Sequence, residues 1–269
     1  MIEILKLSTL LTIGIIGSLV VFGLLIGQIE KKSSQLIYNG LGKYGVIFTG
    51  IIGTTVHEFS HAIMCKLFLH KIIDIKWFSL SLENRELGYV KHTFNKRNIY
   101  QRIGNFFIGI APIIVGSTIL IIFYRLFLKD SFYSILNTIN VDGLLYLGKN
   151  FNLLDFIHLL FNEFSIFAKV TFTIENITSL GFWIFLIIAI SVSTHMSLSK
   201  ADLRNSLDGV IFIFVVNLII SFVLVLFRIP EMLIMSRLII FNVFLISFLS
   251  IGIFFSLITL LISKLISLI

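Results

Sequence analysis

Charge is scarce in this 269-residue chain: 13% of residues are Asp, Glu, Lys or Arg, against 57% apolar and 14% aromatic. A soluble domain carries about a quarter charged residues, so a soluble enzyme of Rossmann type, a conventional nucleic-acid binder and a disordered chain are all excluded. Cysteine is nearly absent. Cys65 stands alone, which rules out an intrachain disulfide and any secreted disulfide scaffold. No small-residue cleavage site follows the first apolar stretch, which is also too long for a signal-peptide core, so it reads as a retained span. Long repeats, low-complexity tracts and a soluble appendage are missing as well.

What the chain has instead is a mean hydropathy of +1.04 and apolar runs long enough to cross a hydrocarbon layer, which takes about 20 helical residues. Six candidate spans run near 7 to 27, 44 to 69, 103 to 126, 179 to 197, 208 to 228 and 236 to 262. The expected fold is therefore a single integral membrane domain over 1–269, all-α and polytopic, with about six transmembrane helices and a small cytoplasmic β-hairpin. The hairpin is read from β-branched and aromatic residues around Ile72 to Leu82, a polar Glu83-Asn84-Arg85-Glu86 turn, and Leu87 to Phe94.

Much of the +7 net charge falls in the connection 71–102, where Lys71, Lys76, Arg85, Lys91, Lys96, Arg97 and Arg102 face only Asp74, Glu83 and Glu86. Positive charge beside spans marks the cytoplasmic side. That orientation puts both termini in the cytoplasm and makes 127–178 an external loop with amphipathic helices, such as Leu153 to Phe167. Lys31, Lys32 and Lys43 then lie outside, against the trend. The charge is an orientation signal, and the expected partner is the lipid bilayer, with no nucleic acid.

Within the second span, His57, Glu58, Phe59, Ser60 and His61 form an H-E-x-x-H pattern. On a helix the two histidines lie one turn apart and about 40° round the axis, so both imidazoles can reach one Zn²⁺. Glu58 falls beside the metal, where a carboxylate can take a proton from an activated water and pass it to a leaving amine. Ionisable groups at membrane depth cost several kcal/mol unless paired or coordinating.

Zinc catalysis needs a third protein ligand. Near the fourth span, His195, Ser199 and Asp202 follow an i, i+4, i+7 rule and would share a helix face. Asp208 lies roughly 140° from His195 on the same helix, so one continuous helix cannot aim both acids at one ion. Asp202 is favoured and Asp208 stays open. His195 is assigned a supporting role as an orienting group, an oxyanion donor or a further ligand. Cys65 lies about 12 Å along the helix from His57, too far to share its ion, and reads as a small buried hydrophobe. His70, His92 and His158 read as interfacial, with His92 a candidate to reach the site from the hairpin. Gly50 and Gly53 permit close helix approach, and Pro112 frees backbone groups in the third span that must be satisfied inside the bundle.

These motifs resemble the site-2 protease group of intramembrane zinc metalloproteases. More narrowly, His57-Glu58-Phe59-Ser60-His61 with Cys65, Gly88-Tyr89-Val90-Lys91-His92, Ala111-Pro112, and His195-x-x-x-Ser199-x-x-Asp202 are similar to a group of small prokaryotic membrane metalloprotease-like proteins. The resemblance spans roughly residues 45 to 210. It implies Zn²⁺ as cofactor, a membrane-spanning or membrane-associated polypeptide as substrate, and residence in a prokaryotic plasma membrane. The narrower group points to Asp202 as third ligand. Leu207-Asp208-Gly209 imitates the L-D-G motif of typical site-2 proteases but lacks its prolines. Two rival classes share the features: a proton-coupled transporter, which an evident inverted repeat would have favoured, and a non-catalytic binding or immunity-type relative.

Overall fold

The structure, a computed structural model, describes residues 1–80, 87–138, 146 and 152–268. The polar turn expected at 83–86 therefore lies outside the described residues, as do positions 139–145 and 147–151 of the expected external segment.

Helix α1, Ile2–Leu67, runs through the H-E-x-x-H pattern and is broken at Gly42, whose φ of 63° and ψ of −155° are non-helical. Strands β1, Lys71–Lys76, and β2, Tyr89–Thr93, pair antiparallel with Ile72 opposite His92 and Ile75 opposite Val90. A register irregularity between Ile72 and Asp74 bends the ribbon. Helix α2, Ile99–Gly109, starts on an Asn98 cap and meets α3, Ala111–Phe127, at a 60° bend. Pro112 sits in the first turn of α3. The proline has no N–H, and its ring clashes with the carbonyl four residues back, so a continuous helix is excluded here.

Helices α4, Lys129–Thr138, α5, Leu153–Thr171, and α6, Ile174–Thr178, follow. The α5 end is fixed by Phe167, buried against Tyr124, Phe254 and Phe255, and by a Tyr124–Thr171 hydroxyl hydrogen bond of 2.9 Å. Its earlier residues Leu154, Ile157 and Phe161 are exposed. Helices α7, Leu180–Ser193, α8, Lys200–Leu226, and α9, Glu231–Ile266, complete the chain. The core around α3, α7 and α9 is rich in phenylalanine, with Phe106, Phe185 and Phe255 fully buried.

Among the described residues, three helices are long and apolar enough to cross a membrane, or up to four if the bent α2–α3 pair is one span. The expectation of about six is corrected for two physical reasons. The polar stretch 28–43, which reads as a connection, is helical up to Leu41, so the expected spans 7–27 and 44–69 are joined within α1 across the break at Gly42 and count as one long helix. The expected span 179–197 shrinks to the 14 residues of α7. At 1.5 Å per residue those cover only about 21 Å, short of a hydrocarbon core of roughly 30 Å. The long apolar helices nevertheless carry exposed Ile13, Phe48, Ile219 and Leu261, an outer surface suited to lipid and the mark of an integral membrane protein.

Candidate metal centre

One turn of α1 sets His57 and His61 side by side, with ring centroids 4.8 Å apart. Each ring is oriented by a backbone carbonyl. His57 Nδ1 donates to His195 O at 2.6 Å, and His61 Nδ1 donates to Ile108 O at 2.8 Å. The second carbonyl is available because of sequence: residue 112, whose N–H would serve Ile108 in a continuous helix, is proline. A carbonyl only accepts, so both Nδ1 atoms carry hydrogens. In neutral rings the two Nε2 lone pairs then face each other at 3.1 Å.

The third group is Asp202, whose Oδ1 lies 3.4 Å from His61 Nε2 and whose Oδ2 lies 4.0 Å from His57 Nε2. Its placement comes from a capping box at the start of α8. Ser199 Oγ accepts the Asp202 N–H at 3.1 Å, and Asp202 Oδ2 accepts the Ser199 N–H at 2.8 Å. The expected shared face with His195 does not exist, because α7 ends at Ser193 and α8 begins at Lys200. His195 reaches the centre through its main-chain carbonyl, while its Nδ1 lies 3.1 Å from Ser191 O. Gly53 permits this packing, since a methyl there would collide with Ser191 O and the His195 ring.

Asp208 is engaged elsewhere. It accepts from Arg102 through both carboxylate oxygens and from Asn105 Nδ2 at 2.9 Å. Periodicity gave no hint of Glu30, whose carboxylate accepts the Ser197 N–H and so ties the N-terminal part of α1 to the loop that supplies the His195 carbonyl.

A cavity of about 260 Å³ adjoins the cluster, lined by His57, Glu58, His61 and Asp202 on one side and by Gly88, Tyr89, Val90 and His92 of the hairpin on the other. Ser199 also borders it. Glu58 is buried. The hairpin comes this close because residue 88 has no side chain: a Cβ there would lie 2.8 Å from Glu58 Cγ and 2.9 Å from Thr54 Cγ2. Burial first, then the neighbouring His70 imidazole, pushes His92 down to about 4, so it is neutral near pH 7. His158 lies exposed on α5.

Among the described residues, two His/Cys/Asp groups could hold a metal ion: His57, His61 and Asp202, and separately Cys65, His70 and His92, each with ligand atoms within 4.8 Å of one another. The first donor set fits a metal ion. Two oriented imidazole lone pairs and a carboxylate oxygen converging on one point repel one another unless a proton or cation lies between them. No family model, curated protein or solved structure matches this chain.

Proposed function

We propose that this protein is a zinc-dependent intramembrane peptidase that hydrolyses peptide bonds of membrane-associated polypeptides. The observation that carries the reading is the pair of carbonyl-anchored imidazoles, His57 and His61, whose Nε2 atoms meet 3.1 Å apart beside a buried glutamate and an acid from another helix. His57, His61 and Asp202 hold the ion. When bound, the ion supplies Lewis-acid polarisation of the scissile carbonyl and lowers the pKa of the attacking water. Glu58 takes a proton as water adds to the carbonyl carbon, and returns it to the amine as the C–N bond breaks.

Strand β2 pairs with β1 along one edge in a two-stranded sheet, and the cavity lies along β2. A substrate helix hides its amides in intrahelical hydrogen bonds, so it must unwind; laid along β2 it regains inter-strand ones. The excess of basic over acidic residues in 71–102 supports a cytoplasmic position for this hairpin.

The test is cleavage and metal content in purified full-length variants. Glu58→Gln should retain zinc and lose cleavage by at least about 10²-fold, the scale of general acid–base catalysis. Wild-type cleavage by that variant overturns the assignment of Glu58. His57→Ala and Asp202→Ala should lose the ion, and Asp208→Ala should keep it. Zinc retained in Asp202→Ala but lost in Asp208→Ala would reverse the choice of acid.

A further inference from the structure

Three side chains far apart in role converge where α1 ends. Cys65 lies in the last turns of α1, His70 just beyond it, and His92 opposite Ile72 on β2. Cys65 is fully buried and His70 nearly so. We propose that Cys65, His70 and His92 form a second metal site, taking a zinc-class divalent ion that pins the hairpin to α1 and α2.

One ligand atom from each residue lies within 4.8 Å of the others, and His70 Nδ1 is 3.0 Å from His92 Nδ1. A tetrahedral ion with bonds of about 2.0–2.3 Å wants donors roughly 3.3–3.8 Å apart, within reach of small side-chain rotations. His70 is already oriented for ligation. Its Nε2 donates to Gln101 O at 2.8 Å, which leaves a lone pair on Nδ1 pointing into the cluster. Metal-binding imidazoles are held in this way, by a carbonyl on the far nitrogen. Gln101 in turn is fixed by its Nε2 donating to Leu69 O at 2.8 Å and its Oε1 accepting the Asn95 N–H at 2.6 Å. The ring of His70 stacks on Phe94, centroids 5.0 Å apart.

The chemistry of the set selects the ion. A thiolate with two imidazoles favours zinc or a similar late transition metal over magnesium or calcium. Without an ion, the His92 Nδ1–H would donate to His70 Nδ1 and the thiol would stay neutral, which is the competing outcome of the test. The site has a consequence for the cavity: His92 also lines it, so locking His92 locks β2 beside Glu58. The inference does not rest on the peptidase reading.

Full-length protein in detergent, loaded with cobalt(II) and dialysed, separates the possibilities. Wild type should hold two ions per chain and show a thiolate-to-cobalt charge-transfer band in the near ultraviolet. Cys65→Ala should lose that band and one of the two ions; His57→Ala should keep the band and lose the other. Absence of the band in wild type overturns the proposal without recourse to any variant, and so does unchanged cobalt content in both Cys65→Ala and His70→Ala. If the band is missing while His57→Ala still loses an ion, the second site falls and the peptidase centre stands. If the band is present and His57→Ala loses nothing, the second site stands and the peptidase centre falls.

Discussion

Asp202 works through two oxygens at once. Oδ2 closes the capping box at the start of α8 while Oδ1 faces His61, so the cap is also the device that aims the carboxylate. Ser199→Ala keeps the N–H that holds Oδ2 and removes only the Oγ bond to the Asp202 N–H, a cap worth about 1 kcal/mol that fixes the main chain carrying the carboxylate. Loss of a bond made directly to a ligand typically lowers metal affinity about 10- to 100-fold; acting one step back, through the main chain, this variant should show a drop of about tenfold at most in chelator competition on the purified protein. Unchanged affinity would mean that the cap does not aim Asp202. The nearness of His57 and His61 was legible in the sequence because residues i and i+4 share a helix face. The route to Asp202 was misread: a continuous face with His195 was expected, while Ser199-x-x-Asp202 carried a capping-box pattern in plain view. Glu30 was illegible because its partner Ser197 lies 167 residues away, beyond any local periodicity.

At the scale of elements, the bend between α2 and α3 is part of the metal centre. Pro112 withholds the N–H that Ile108 O would otherwise accept, and His61 takes its place. Pro112→Ala restores a helical donor to that carbonyl. The variant should have a straighter α2–α3 joint and bind zinc about tenfold or more weakly, the scale of an altered ligand-orienting contact, with membrane insertion unchanged. Wild-type affinity in Pro112→Ala would show that His61 is oriented by other means. A kink was readable from Pro112 alone. Which group would claim the freed carbonyl was not, since that depends on how α1 packs against α2. The two-stranded ribbon was readable from its β-branched residues, whereas the helical course of residues 28–41 was hidden by their polarity. Cys65 reads in sequence as a small buried hydrophobe and His70 as interfacial, because their meeting with His92 depends on the register that sets Ile72 opposite His92.

For the whole molecule, the centre joins elements that also pack on one another, as the Arg102–Asp208 ion pair between α2 and α8 shows. His57 and His61 come from α1, the orienting carbonyls from the α2 terminus and the loop after α7, and Asp202 from α8. An ion bound only by the folded bundle stabilises it by about 2.7 kcal/mol at a free concentration 100 times its dissociation constant. Thermal unfolding in detergent should therefore shift upward on adding zinc and downward with EDTA, and the shift should shrink in His57→Ala. Equal melting temperatures in zinc and EDTA would separate metal from folding altogether. The positions of the two donor groups along the chain have a temporal meaning. Cys65, His70, His92 and the Gln101 that orients His70 are all encoded by residue 101, whereas the other trio waits for residue 202. If both proposed sites hold ions, the hairpin would be fastened during synthesis before the last ligand of the His57–His61 centre has left the ribosome.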